Sequence, residues 1–414
     1  MQRYSIGDAL HTSAVHHESF EKLWETKWKR PCEQGIYPFM FGCIQDFEPV
    51  AQAIIKKGLK EPYDWDEYAE MFFSKAEELA NIAANAEAVG KKEKASEYYL
   101  SALYRIARFP IPRSEKQRLA WTKGKEVFYK GSAPILELHL PHIHRLSHEG
   151  HTIPTNLLIP STATPSTPVP LLIILTGLDG YRTELAVWQQ GFHDKGVATL
   201  VLEIPGTGDS PADPQDPTSP DRIADSVFAW IDTKPEISKV IVWGFSTGGF
   251  YATRMAYTHA SRLAGAVSLG GGAHRMFDPE WLNAVDRLEY PFDLRGALAV
   301  KFGYGEDVDE FVKKAQEKFS LLVDGTCKPG SGKECCRLLV VNGEGDEIFP
   351  VEDARVAVAG LEEQGRREIV VVKGRKHMGE PESFVIILKW IHGVLGLDGD
   401  YGYHFKMLPT KVKY

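Results

Sequence analysis

A chain of 414 residues with 43% hydrophobic and 11% aromatic content can bury one large core and a smaller second one. Its formal net charge of -8 argues against a nucleic-acid or anionic-membrane surface, either of which needs clustered Lys and Arg, and leaves a small molecule as the expected partner. Five cysteines (Cys32, Cys43, Cys327, Cys335 and Cys336) form an odd set without metal-ligand spacing and read as reduced thiols.

The first residues, MQRYSIGDALHT, lack a basic segment followed by an apolar run. The longest apolar stretch, Val169–Leu175, is far short of a membrane span, so no span and a cytoplasmic location are expected. From Asp64 to Arg108 the pattern predicts two helices, Trp65–Ala88 and Lys92–Arg108, parted near Gly90 and closed by Pro110 and Pro112. The Ala and Tyr spacing of this hairpin is that of a tetratricopeptide unit, but no second copy follows, which favours a helical accessory layer. Residues 1–125 are taken as a helical cap region.

After about residue 125, short β-branched and leucine-rich runs alternate with helical stretches, the pattern of a mostly parallel sheet covered on both faces. The expected strands are Ile135–Leu140, Thr155–Ile159, Leu171–Leu175, Ala198–Leu202, Val240–Trp243, Ala266–Leu269, Arg337–Val341 and Glu368–Val372. The first two are spaced for a hairpin and an antiparallel edge; Pro160–Pro170 is a surface loop. Residues 126–272 and 335–400 would form an α/β catalytic domain, and 401–414 a C-terminal tail. Residues 273–334 are too long for a plain crossover, and their Trp281, Tyr290, Phe292, Phe302 and Tyr304 suggest a lid over a cleft.

Val240-Ile-Val-Trp-Gly-Phe-Ser-Thr-Gly-Gly249 runs an apolar strand into G-x-S-x-G, and Phe250–Thr258 reads as a helix. A serine on such a strand-to-helix turn projects its hydroxyl into a cleft, with small residues at Gly244 and Gly248 letting strand and helix approach. Ser246 is therefore the candidate nucleophile of an α/β-hydrolase fold. In that fold acid and base follow on later strand-end loops. Asn342-Gly-Glu-Gly-Asp-Glu-Ile-Phe-Pro350 offers Asp346, with Glu344 as competitor and Glu347 as a solvated neighbour. Lys373-Gly-Arg-Lys-His-Met-Gly379 offers His377, whereas His392 lies inside the expected C-terminal helix Glu382–Val394 and His404 beyond it.

An oxyanion intermediate needs main-chain donors. The N–H of Thr247 is one; the other is expected from Thr176-Gly-Leu-Asp-Gly-Tyr181, with Leu178 first and Asp179 second. Asp179, Tyr181 and Arg182 either touch substrate or fix this loop. Asp278 and Glu280, in Phe277-Asp-Pro-Glu-Trp281, are candidate substrate-binding carboxylates, with a helix-start role as the alternative for Asp278. Glu203-Ile-Pro-Gly-Thr-Gly-Asp-Ser210 contains G-x-G without the helix that a dinucleotide site requires.

Leu175-Thr-Gly-Leu-Asp-Gly-Tyr-Arg-Thr-Glu184, Gly244-Phe-Ser-Thr-Gly-Gly249, Gly343-Glu-Gly-Asp346 and Lys376-His-Met-Gly379, together with the helical N-terminal region, resemble the fungal polyketide-shortening hydrolases of melanin pathways. A more distant resemblance is to 2,6-dihydroxypseudooxynicotine hydrolase. The resemblance implies removal of a short acyl unit from an aromatic polyketide by carbon–carbon hydrolysis. A heptaketide naphthopyrone or acylated tetrahydroxynaphthalene would yield 1,3,6,8-tetrahydroxynaphthalene and acetoacetate or acetate. It implies no metal and no organic cofactor, and leaves a homodimer open. A carboxylesterase and a non-catalytic binding protein are the rival expectations.

Overall fold

In the computed structural model, residues 3–136, 144–359 and 367–408 are described. The apolar runs assemble into one sheet of eight strands: β1 (His144–His148), β2 (His151–Leu158), β3 (Val169–Leu175), β4 (Ala198–Leu202), β5 (Ile237–Phe245), β6 (Gly265–Leu269), β7 (Leu338–Gly343) and β8 (Arg367–Val372). Their spatial order is β1-β2-β4-β3-β5-β6-β7-β8. The β1–β2 and β2–β4 pairs are antiparallel, and every other pair is parallel.

Composition explains this order. The residues of β4, β6 and β7 are buried along their whole length, so these strands carry apolar residues on both faces and must lie inside the sheet. Each fully buried Leu, Ile or Val there contributes about 1.5–3 kcal/mol. β8 has only half-buried and exposed positions and pairs with β7 alone, as an edge strand does. The parallel strands β5, β7 and β8 all deliver their following loops to the same, carboxyl edge, which is where this architecture gathers its chemistry.

The chain divides into two compact units, each described by itself. One comprises residues up to Thr12 and from Ile143 to Phe405; the other runs from Ser13 to His142 and resumes at Lys406. In the helical unit, Trp65–Ala88 forms one helix because Asp64 caps it, accepting from the amides of Asp66 (3.0 Å) and Glu67 (2.9 Å), and because Tyr68, Phe72, Ala76, Leu79 and Ala83 recur on one buried face. Phe20, Trp28, Phe39 and Phe47 pack edge to face in the same unit.

Two expectations fail in this unit. The helix expected over Lys92–Arg108 is two helices, Lys92–Tyr99 and Leu103–Arg108, with Ala102 left-handed (φ 67°) between them. The break lets both pieces pack against Trp65–Ala88 and Glu115–Leu136, a tertiary gain that helix propensity does not encode. The strand expected over Ile135–Leu140 is not one at its start. Ile135 and Leu136 close the helix Glu115–Leu136, and 137–140 lie outside the described residues. The antiparallel edge is instead made by β1 and β2, joined at Glu149 and Gly150.

The segment between β6 and β7 carries the helices Pro279–Val285, Leu294–Lys301 and Val308–Phe319. Trp281, Tyr290, Phe292 and Phe302 are buried, and Phe302 packs on Phe277, Phe311 and Phe319. Phe302 thus sits in an aromatic cluster of the insertion itself, whereas Trp281 donates to Ile348 O and Tyr290 to Asp179, both outside it. Asp353 ties the insertion's start to the sheet: its buried carboxylate accepts from the amides of Ala273, His274, Arg275 and Met276 at 2.8–3.2 Å.

Candidate active site

Ser246 ends β5 and caps the helix Thr247–Thr258 with φ 51° and ψ -120°. A residue with a Cβ pays roughly 1–3 kcal/mol for such a backbone. The neighbours impose it. The Ser246 amide donates to Leu269 O (2.7 Å), and the Gly249 amide returns to Ser246 O (2.8 Å). Close approach is what demands glycine here: a Cβ on Gly244 would lie 2.1 Å from Gly248 O, and one on Gly248 would lie 2.3 Å from Thr176 O. The same tightness brings the loop after β3 to Ser246, since a Cβ on Gly177 would sit 3.5 Å from that of Ser246.

His377 Nε2 lies 2.8 Å from Ser246 Oγ, and His377 Nδ1 lies 2.9 Å from Asp346 Oδ2. An ionised carboxylate only accepts, so Nδ1 carries the proton and Nε2 is left to accept from the serine hydroxyl. Asp346 is fully buried; its Oδ1 accepts from the amides of Ile348 (2.7 Å) and Phe349 (3.0 Å), and its Oδ2 also accepts from Asn342 Nδ2 (2.7 Å). Of the other carboxylates in this loop, Glu344 accepts from the Gly374 amide at 3.2 Å, and Glu347 pairs with Lys376. His392 and His404 are buried against each other, Nε2 to Nε2 at 2.8 Å, away from this constellation.

Burial pulls the His377 imidazole toward its neutral form, but the charge of Asp346 and its hydrogen bond, joined by Glu289 and Glu380, outweigh it and leave the pKa raised. Glu380 is exposed at its surface, and desolvation by the surrounding protein pushes its carboxyl up to about 7 while the imidazole opposes the shift.

The amides of Leu178 and Thr247 donate to no protein acceptor among the described residues. Leu178 sits in the loop against Ser246, and Thr247 opens the helix whose positive end faces the same place. Asp179 accepts from Tyr290 OH at 2.8 Å. Tyr181 is fully buried, and its amide donates to Glu184. Arg182 is buried as well, with Nη1 on both oxygens of Glu203 (2.8 and 2.7 Å) and Nη2 on Asp209 (2.7 Å), which fixes the loop after β3 to the loop after β4.

Asp278 and Glu280 have their partners in the helix they begin and in Arg3. Asp278 caps Pro279–Val285, accepting from the Glu280 amide at 3.0 Å, and both carboxylates pair with Arg3. The sequence reading missed Asn342, Glu289 and Tyr290. Asn342 stands at the end of β7, four residues before Asp346, where a strand-end Asn is a legible signal. Glu289 and Tyr290, in Asp286-Arg-Leu-Glu-Tyr290, carry no motif at all.

The profile of the family described as Esterase FrsA-like matches residues 60–393. An esterase FrsA of Yersinia enterocolitica is 25% identical over 274 residues, 63% of this chain and 62% of its own length. One from Yersinia pestis is 22% identical over 303 residues, 71% of this chain and 67% of that protein. The chain thus spans somewhat less than two thirds of the first of these relatives. Among solved structures, 2,6-dihydroxy-pseudo-oxynicotine hydrolase superposes with a TM-score of 0.63 at 20% identity, over 86% of this chain and 93% of that one. AbyA5 does so with a TM-score of 0.59 at 18% identity, over 80% and 92%. In fold the chain is an α/β-hydrolase, and it belongs to the FrsA-like esterase family.

Proposed function

We propose that this chain is a serine hydrolase that cleaves carboxylic esters of small molecules through an acyl-enzyme. The observation that carries the reading is the unbroken chain Ser246 Oγ, His377 Nε2, His377 Nδ1, Asp346 Oδ2, with links of 2.8 and 2.9 Å. His377 takes the hydroxyl proton as Ser246 attacks the acyl carbon, and the oxyanion forms against the amides of Leu178 and Thr247. Each such donor is worth roughly 3–4 kcal/mol. Collapse releases the alcohol, protonated by the imidazolium. Water, deprotonated by His377, then frees the acid and restores the serine. Asp346 holds the imidazole tautomer throughout. The membership of an esterase family supports this reading.

A second, narrower reading is carbon–carbon hydrolysis of an aromatic polyketide, with acetoacetate or acetate released from a naphthopyrone or acyl-tetrahydroxynaphthalene in pigment synthesis. Its support is the motif resemblance and one feature of the site. Expulsion of carbon needs a proton donor, and the His377 imidazolium, favoured by the Asp346 carboxylate 2.9 Å from Nδ1, supplies it. Mass spectrometry of products separates the two. The ester reading predicts rapid turnover of aryl esters with acyl-tetrahydroxynaphthalene left intact; release of acetate or acetoacetate from the ketone, with slow ester turnover, would replace it by the narrower one.

A further inference from the structure

We infer that Glu289, on the segment inserted between β6 and β7, is a positioning residue for the base: its carboxylate pins the loop carrying His377 to the loop carrying Asp346. One oxygen, Oε1, accepts from the His377 amide (3.1 Å) and from the Glu347 amide (3.3 Å), the residue directly after Asp346. The side chain is buried, at 7% exposure, so these bonds are made out of competition with water. The next residue, Tyr290, holds Asp179 on the loop that supplies the Leu178 amide. Two adjacent side chains of the insertion thus reach both sides of the nucleophile.

The inference rests on Ser246 and His377 being nucleophile and base. Glu289 acts on the imidazole in two ways. Through its amide bonds it fixes where the ring stands relative to Asp346, and through its charge it favours the imidazolium. The other charges facing the ring are Asp346 and Glu380, while Arg375 and Lys376 on the base's own loop are paired with Glu382 and Glu347. Removing the Glu289 charge alone therefore leaves a smaller sum of negative charge and a lower proton affinity.

The test uses the full chain and a fluorophosphonate, which reacts only with an activated serine and needs no knowledge of the substrate. The rate of Ser246 phosphonylation is followed through the titration range of histidine. Glu289→Gln keeps an acceptor for both amides and loses the charge. Its acid limb should move down by about half a pH unit or more, with the high-pH plateau nearly kept. Glu289→Ala loses acceptor and charge, and its plateau should fall about tenfold or more as the ring loses its placement. A Glu289→Ala plateau at the wild-type level would overturn the inference, and where that variant fails to fold, a Glu289→Gln plateau reduced about tenfold would overturn it. Wild-type labelling that survives Ser246→Ala would instead overturn the reading of the triad, and this inference with it.

Discussion

Asp346 meets four donors with two oxygens, and that arithmetic dictates what a neighbouring amide would do in its place. In Asp346→Asn the oxygen must face the Ile348 and Phe349 amides, so the new NH2 faces His377 Nδ1. The ring then carries its proton on Nε2, toward the serine, and can no longer accept from it. We expect kcat/KM on an aryl ester to fall roughly 10³–10⁴-fold and the thermal midpoint to drop, because the new NH2 also meets the buried Asn342 Nδ2 donor; an activity loss below about tenfold would show that the carboxylate does not set the tautomer.

The sign of the pH dependence follows from the same contacts. The folded-state pKa of His377 is raised, so the neutral base is lost from above its ordinary value of about 6.5, and the acid limb of kcat/KM should lie above that value. By linkage, the charged imidazole contributes stability that is complete below the unfolded pKa and is lost as pH rises through the folded one. An acid limb below 6.5 would contradict the electrostatics of the site.

At the scale of elements, the turn between β5 and its helix is held by close backbone contact rather than by side chains. Gly248→Ala puts a methyl 2.3 Å from Thr176 O, so β3 and the helix must part. A loss of about 1–3 kcal/mol in urea unfolding is expected, together with a loss of labelling by fluorophosphonate. Arg182→Met leaves Glu203 buried without its cation and should cost about 3–5 kcal/mol, whereas a loss under about 1 kcal/mol would mean the pair is dispensable. Elements were legible where the pattern was local. Seven of the eight expected strands fall on β2 to β8 because their apolar runs have no other use, and Trp65–Ala88 carries its own cap. The break at Ala102 and the helix that ends at Leu136 were not legible, since both are decided by packing between helices distant in sequence.

For the whole molecule, the grouping of Ser246, Asp346 and His377 could be read because chain order and strand-end loops constrain it independently of fine structure. The residues that support them could not. Glu289 and Tyr290 reach the site from an insertion whose aromatic content suggested only a cover, and Asp278 and Glu280 looked available until Arg3 was seen beside them. The family match runs across both compact units, so the full chain is the object to test. The most direct measurement is the site of fluorophosphonate modification, mapped by peptide mass spectrometry on wild type, Ser246→Ala and His377→Ala. The account predicts one adduct, on Ser246, absent from the first variant and slowed by roughly 10³-fold or more in the second, which keeps its folding transition. An adduct elsewhere, or His377→Ala labelled at the wild-type rate, would contradict it.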